Sequence, residues 1–175
     1  MRLILRMIDR MNAALAIVVG VLLMIITAAV FGQVMVRFVL TAAGINISAP
    51  WTEELARYLL IWVVFLGAAV GCRKAQLIAL EFVVQALPSL PGQMLRYGTL
   101  LLCVAFFAMM VWVGLPFVTL GETETSPVMQ IPKSRVYWAM PVGAALMILN
   151  TFALMAEAAL DGRDIRKVGV AADVE

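Results

Sequence analysis

Apolar residues run along this chain in four long stretches separated by short polar segments. The first runs from Ala13 to Val36 without a charge, and Gln33 is its most polar member. At about 1.5 Å per helical residue it is long enough for the roughly 30 Å of a bilayer's hydrocarbon core. The second is shorter. Uncharged residues extend only from Tyr58 to Cys72, so the helix is expected to begin earlier, near Pro50, whose fixed φ suits a first turn. A third and a fourth stretch follow, with Pro116 near the end of the third and Pro141, Asn150 and Glu157 along the fourth. Proline inside a membrane helix is tolerated where neighbours re-satisfy the freed carbonyl. The pattern predicts an all-α membrane protein, one membrane domain over 1–175, with four transmembrane helices at roughly 13–36, 50–73, 97–118 and 136–160.

Between the second and third stretches the pattern changes. Lys74, Glu81 and Gln85 recur at spacings of seven and four, while Leu77, Ile78, Leu80, Phe82, Val84 and Leu87 take the other faces. That predicts a short amphipathic interfacial helix over roughly 75–87, ended by Pro88 and Pro91 and too short for a fifth span. Arg2, Arg6 and Arg10 ahead of the first stretch invite a signal-peptide reading. The stretch is longer than the ~7–15 apolar residues of such a peptide and no cleavage site follows, so a retained first helix is expected.

Composition agrees: 64% of residues are hydrophobic, 14% are charged and mean hydropathy is +1.01. A soluble domain needs more polar surface than this. A net charge of +2 suggests no nucleic-acid partner. Cys72 and Cys103 fall in or beside apolar segments and read as packing residues. Histidine is absent, which removes the commonest general base and transition-metal ligand. With no nucleotide loop, Cys/His metal site or Ser/His nucleophile arrangement, no enzyme activity, cofactor, metal or substrate-binding set is expected.

Charge sets the expected orientation. With both termini inside, Arg2, Arg6, Arg10, Arg73, Lys74, Arg96, Arg163, Arg166 and Lys167 lie on the inner side. Only Arg37, Arg57, Lys133 and Arg135 lie outside. That positive-inside bias places both termini in the cytoplasm and the Thr119–Arg135 loop outside.

Few polar features accompany the spans. Arg57 is four residues from Glu53 and three from Glu54, so either carboxylate can pair with it on one helical face. The cluster reads as an interfacial ion pair or as a polar anchor docking this helix to another membrane subunit; a substrate or ion site ranks last, because one pair on one helix has no convergent second set. Gly67 and Gly71 form a GxxxG on the second span, and Ala28 and Gly32 a small pair on the first, both suited to close helix approach. Arg37, one turn from Gln33, is expected to snorkel to the headgroups. Asn150 is a candidate interhelical hydrogen-bond former.

The sharpest signal is a set of motifs. Pro50-Trp51-Thr52-Glu53-Glu54-Leu55-Ala56-Arg57-Tyr58 leads into Leu60-Ile61-Trp62 and Phe65-Leu66-Gly67-Ala68, and Arg73-Lys74 closes the second span. The outer loop reads Thr123-Glu124-Thr125-Ser126-Pro127-Val128-Met129-Gln130-Ile131-Pro132, followed by Tyr137 and Met140-Pro141-Val142-Gly143. Over nearly its whole length the chain resembles the small permease subunit (DctQ-like) of tripartite ATP-independent periplasmic (TRAP) transporters. Family members commonly carry a Gly and a His where Ala75 and Leu77 stand here, so no role of that histidine carries over, although Glu81 keeps an acidic residue downstream.

The resemblance implies a large permease subunit as direct membrane partner, a periplasmic solute-binding protein as transient partner, and the bacterial inner membrane as location. It implies secondary transport, typically sodium-driven, of an organic anion such as a carboxylate. The large subunit would hold the solute and ion sites, and the small one would enlarge the static scaffold. The partner interface is then expected at Trp51, Glu53, Glu54, Arg57, Tyr58, Gly67 and Gly71. Ser126, Pro127, Ile131 and Pro132 are expected near the docked binding protein, and the amphipathic segment would brace the scaffold inside. Competing readings are an autonomous homo-oligomeric transporter or channel, and the small membrane subunit of a tripartite tricarboxylate transporter.

Overall fold

The computed structural model describes residues 2–40, 50–74 and 88–161. In order along the chain they form α1 (Arg2–Met35), continued by a π-helical segment Val36–Leu40, then α2 (Pro50–Arg73), α3 (Ser89–Glu122), a short α4 (Ser134–Tyr137) and α5 (Ala139–Asp161). Within hydrocarbon only a helix satisfies its own backbone groups, which is why apolar runs of this length become helices. Four helical stretches are long and apolar enough to cross a membrane: Arg2–Val39, Pro50–Arg73, Ser89–Glu122 and Ser134–Leu160.

The four expected spans are therefore present, with three differences at their ends. Helix α1 begins at Arg2, so its three arginines lie on helix rather than before it. Helix α3 begins at Ser89 and carries Pro91 within its first turn, where no intrahelical N–H bond is required. Pro91 therefore lies within the third long helix. The fourth span divides at Trp138, with Pro141 near the start of α5, and Val142 N donates to Trp138 O across the junction at 3.2 Å. The expected interfacial helix at roughly 75–87 lies outside the described residues.

Helix α5 is central. It packs on both α2 and α3, and half of its apolar window is buried. Helix α1 is peripheral and packs chiefly on α2. The less exposed residues of α1 and its π-helical continuation are Leu5, Ile8, Asn12, Leu15, Val19, Leu22, Ile26, Ala29, Gln33 and Val36, with Met11 and Gly32 alongside. Those ten alternate in steps of three and four, the seam spacing of a left-handed helix pair. A seam that narrow leaves most of the α1 circumference, including Ile17, Met24 and Phe31, facing outward.

Core contacts fall between α2, α3 and α5. Ala69, Cys72 and Met147 cluster with Phe65 and Phe107, and Leu100, Leu154 and Ala158 cluster with Tyr97 and Met155. Three glycines set the closest approaches. A Cβ at Gly143 would stand 2.5 Å from Phe65 Cβ, one at Gly121 would stand 2.7 Å from Ser134 N, and one at Gly114 would stand 3.1 Å from Pro141 Cδ. The glycines singled out by motif behave differently. A Cβ at Gly67 would meet Val19 of α1 at an ordinary 4.0 Å, and one at Gly32 would have nothing within 4 Å. Spacing alone marks helices that can approach closely, whereas the facing side chain decides where they do.

Candidate partner-facing site and outer loop

Two polar clusters tie the helices together at one end of the bundle. Asn12 of α1 and Asn150 of α5 exchange a reciprocal pair of amide hydrogen bonds, each 2.7 Å. Asn150 Nδ2 also donates to Ala69 O of α2 at 2.7 Å, and Asn12 Nδ2 donates to Ile8 O at 2.9 Å. Asn150 is fully buried, so three helices converge on one amide. Asn150 thus makes the interhelical bonds expected of it, and Asn12 is the partner that sequence reading did not single out.

Nearby, Arg73 at the end of α2 binds Asp9 of α1 at 2.8 Å and Glu157 of α5. The guanidinium is 11% exposed, so the two carboxylates offset its desolvation. These contacts bring the start of α1, the end of α2 and the end of α5 to the same side of the bundle.

The opposite end holds the sequence-singled α2 cluster and the 123–133 loop. Arg57 pairs with Glu53 at 2.9 Å, with both side chains well exposed. Glu54 lies about 100° further round the helix and is buried. Its Oε1 accepts from the Tyr58 hydroxyl at 2.7 Å, and its Oε2 accepts from the main-chain N–H groups of Met129 at 2.9 Å and Val128 at 3.2 Å. Ser126, also buried, sets its hydroxyl beside Glu54 and Tyr58. Of the two carboxylates that could reach Arg57, the structure pairs it with Glu53 and turns Glu54 to the loop.

The loop itself is a small hairpin. Ser126 N donates to Ile131 O at 2.9 Å and Lys133 N donates to Glu124 O at 3.0 Å, around a turn in which Gln130 takes φ 54°. Trp62 of α2 donates its indole N–H to Arg135 O at 3.2 Å, fastening α4 beside the same helix. Among the expected outer-loop residues, Pro127 is exposed, Ile131 and Pro132 are half-buried, and Ser126 is enclosed. Trp51 is exposed at the start of α2, Tyr58 is half-buried behind Glu54, and Gly71 is half-buried towards the other end. The Val128 and Met129 amides could not be singled out beforehand, because main-chain donors leave no mark in residue type.

Lys133 Nζ binds Glu124 across the hairpin at 2.9 Å. This hydrogen bond and the carboxylate's charge raise the Lys133 pKa above its ordinary 10.5. A raised folded-state value means the pair's contribution is complete below the unfolded value and is lost as pH climbs through the folded one. Thermal stability measured from neutral pH upward should accordingly show no change attributable to this pair until the pH exceeds about 10.5.

Among the described residues no group of three or more His, Cys, Asp or Glu could hold a metal ion. The geometry is that of a multi-pass α-helical membrane protein, with polar clusters closed by partners from its own helices and loop. Comparison gives the class a family: residues 26–161 match tripartite ATP-independent periplasmic transporters, DctQ component, and the chain belongs to that family. A protein of Haemophilus influenzae named as a TRAP transporter small permease protein is 27% identical over 139 residues, covering 78% of this chain and 81% of that one. A second relative is the isethionate TRAP transporter permease protein DctMQ of Oleidesulfovibrio alaskensis. It is 29% identical over 106 residues, which are 59% of this chain and 16% of that longer protein. The chain is thus a small permease subunit of a bacterial TRAP transporter, a member of that complex and not an enzyme.

Proposed function

We propose that this subunit is the static scaffold of a secondary, sodium-driven importer of an organic anion, a carboxylate, delivered by a periplasmic binding protein. It docks to and braces a large permease subunit that holds the solute and ion sites. The observation that carries the reading is how the polar groups are used. Asn12 and Asn150, Arg73 with Asp9 and Glu157, and Glu54 with the outer loop are each closed within the chain, while residues such as Met24, Phe31, Met109 and Trp112 face outward. A solute path needs polar groups turned towards it, and a scaffold needs apolar flanks. The relative named DctMQ, of which the matched region is 16%, supports a large-permease partner, and isethionate in its name is itself a small organic anion.

Docking is assigned to the outer part of α2. Trp51, Glu53 and Arg57 face outward there, backed by Glu54 and Tyr58, with Gly67 and Gly71 further along the helix. The outer loop, with Ser126, Pro127, Ile131 and Pro132, faces the binding protein. The exposed Arg2, Arg6 and Arg10 mark the inner side, so both termini are cytoplasmic in the bacterial inner membrane.

The test is co-expression of the tagged chain with the large permease encoded beside it, followed by detergent purification. A stable heteromeric complex is expected, and Arg57→Ala should lower recovery of the large subunit several-fold. An exposed helical ion pair contributes little to the subunit's own stability, so that loss would report on the partner. Recovery of this chain alone as a defined homo-oligomer, or full assembly and uptake with Arg57→Ala, would remove the assignment.

A further inference from the structure

Glu54 is turned away from the exposed Glu53–Arg57 pair and enclosed within the chain. One of its oxygens receives two successive main-chain N–H groups, from Val128 and Met129, and the other receives the Tyr58 hydroxyl. Successive amides converging on one oxygen form a small anion-binding concavity. The hairpin they belong to is closed on itself by two main-chain hydrogen bonds and the Lys133–Glu124 ion pair. It has one isolated bridge between Thr125 and Pro132, and a two-stranded hairpin is marginal in water. Gln130 also sits at φ 54°, a backbone state that a non-glycine residue keeps only when its surroundings enforce it. Above the clamp, apolar side chains are presented outward: Pro127 and Val128 from the hairpin, and Trp51 from the start of α2.

We propose that Glu54 is a positioning residue: it clamps the hairpin tip to α2, so that Pro127, Val128 and Trp51 are held as a preformed outer surface on which the solute-loaded binding protein docks. Preforming a contact surface removes the ordering cost from association, so the clamp acts on capture and not on the transport step that follows. The inference rests on the reading that the outer loop faces the binding protein.

The test uses the assembled complex of both membrane subunits in lipid vesicles. Amide hydrogen exchange is followed at Val128 and Met129, and uptake is titrated with solute-loaded binding protein. With Glu54→Ala, exchange at both amides should speed up about tenfold or more, as expected when hydrogen bonds to a charged group are lost. The half-saturating concentration of binding protein should rise by a similar factor, with the maximal uptake rate unchanged. Glu54→Gln should stay close to wild type, because its oxygen still accepts the amides and its N–H can donate to Tyr58. Glu54→Asp, one methylene short, should behave like alanine.

Unchanged exchange with Glu54→Ala would overturn the clamp. Faster exchange with an unmoved half-saturation would overturn the docking role, and the outer-loop reading with it. If Glu54→Ala fails to assemble, Met129→Pro removes one donor from the loop side without touching a docking residue, and should speed exchange at Val128 and raise the half-saturating concentration. Indifference of both readouts to it would equally sink the proposal.

Discussion

Gly143→Leu should uncouple α2 from α5 and destabilise the subunit by about 3 kcal/mol or more, at the upper end of overpacking penalties. The reason is the kind of atom that glycine faces. A Cβ there meets Phe65 Cβ at 2.5 Å and the Phe65 carbonyl carbon at 3.2 Å. Neither atom can rotate away, so a whole helix has to shift, and that helix carries Ala69 and Cys72 into the central cluster. Even Gly143→Ala should cost about 1–3 kcal/mol. Phe65→Ala removes the ring but keeps its Cβ, so it should rescue Gly143→Ala only weakly. Reversible unfolding in mixed micelles measures all three. A neutral Gly143→Ala would mean that the helices do not meet there.

The second large effect is expected at Asn150. Asn150→Leu deletes three interhelical hydrogen bonds, two with Asn12 and one with Ala69 O. At about 0.6–1.7 kcal/mol for each such bond in a membrane protein, the loss is about 2–5 kcal/mol. Asn12→Leu should cost less, since Asn150 keeps its bond to Ala69 O. Combining the two should cost clearly less than the sum, because the first substitution already strands the second amide. Strict additivity in that double-mutant cycle would show that the two side chains do not pair. These two sites join different helices of the bundle, Gly143 linking α2 to α5 along their length and Asn150 drawing α1 onto both at one end.

Much of this architecture was legible before any coordinates. Uninterrupted apolar runs predicted the four spans, Pro50 marked the start of α2, and the four-residue spacing of Glu53 and Arg57 allowed the ion pair that forms. The α1 seam was not legible, although it follows a regular three-four alternation. In a soluble helix such a seam stands out against polar neighbours. Here nearly every flanking position within the span is apolar too, because lipid demands it, so the period vanishes into a uniform background. Gly67 and Gly32 show a related limit within the chain: small residues permit close packing on any face, and only the facing helix selects which one is used.

The choice between Glu53 and Glu54 shows the same division at a single site. Both lie within reach of Arg57 on spacing alone. The decision came from a loop more than seventy residues away, whose Val128 and Met129 amides arrive at Glu54. Asn12 and Asn150 lie 138 positions apart, and Arg73 finds one carboxylate from each of two other helices.

The sequence by itself determined what the bilayer dictates: helical spans, their number and approximate limits, and, through its motifs, the transporter family. Hydrocarbon acts on each segment separately, so that information is local and readable. Tertiary structure alone decided which polar groups satisfy one another, which glycines carry the packing, and that Glu54 of the α2 motif holds the 123–133 loop. Those outcomes depend on which distant residue meets a side chain, and neither residue type nor spacing encodes that meeting.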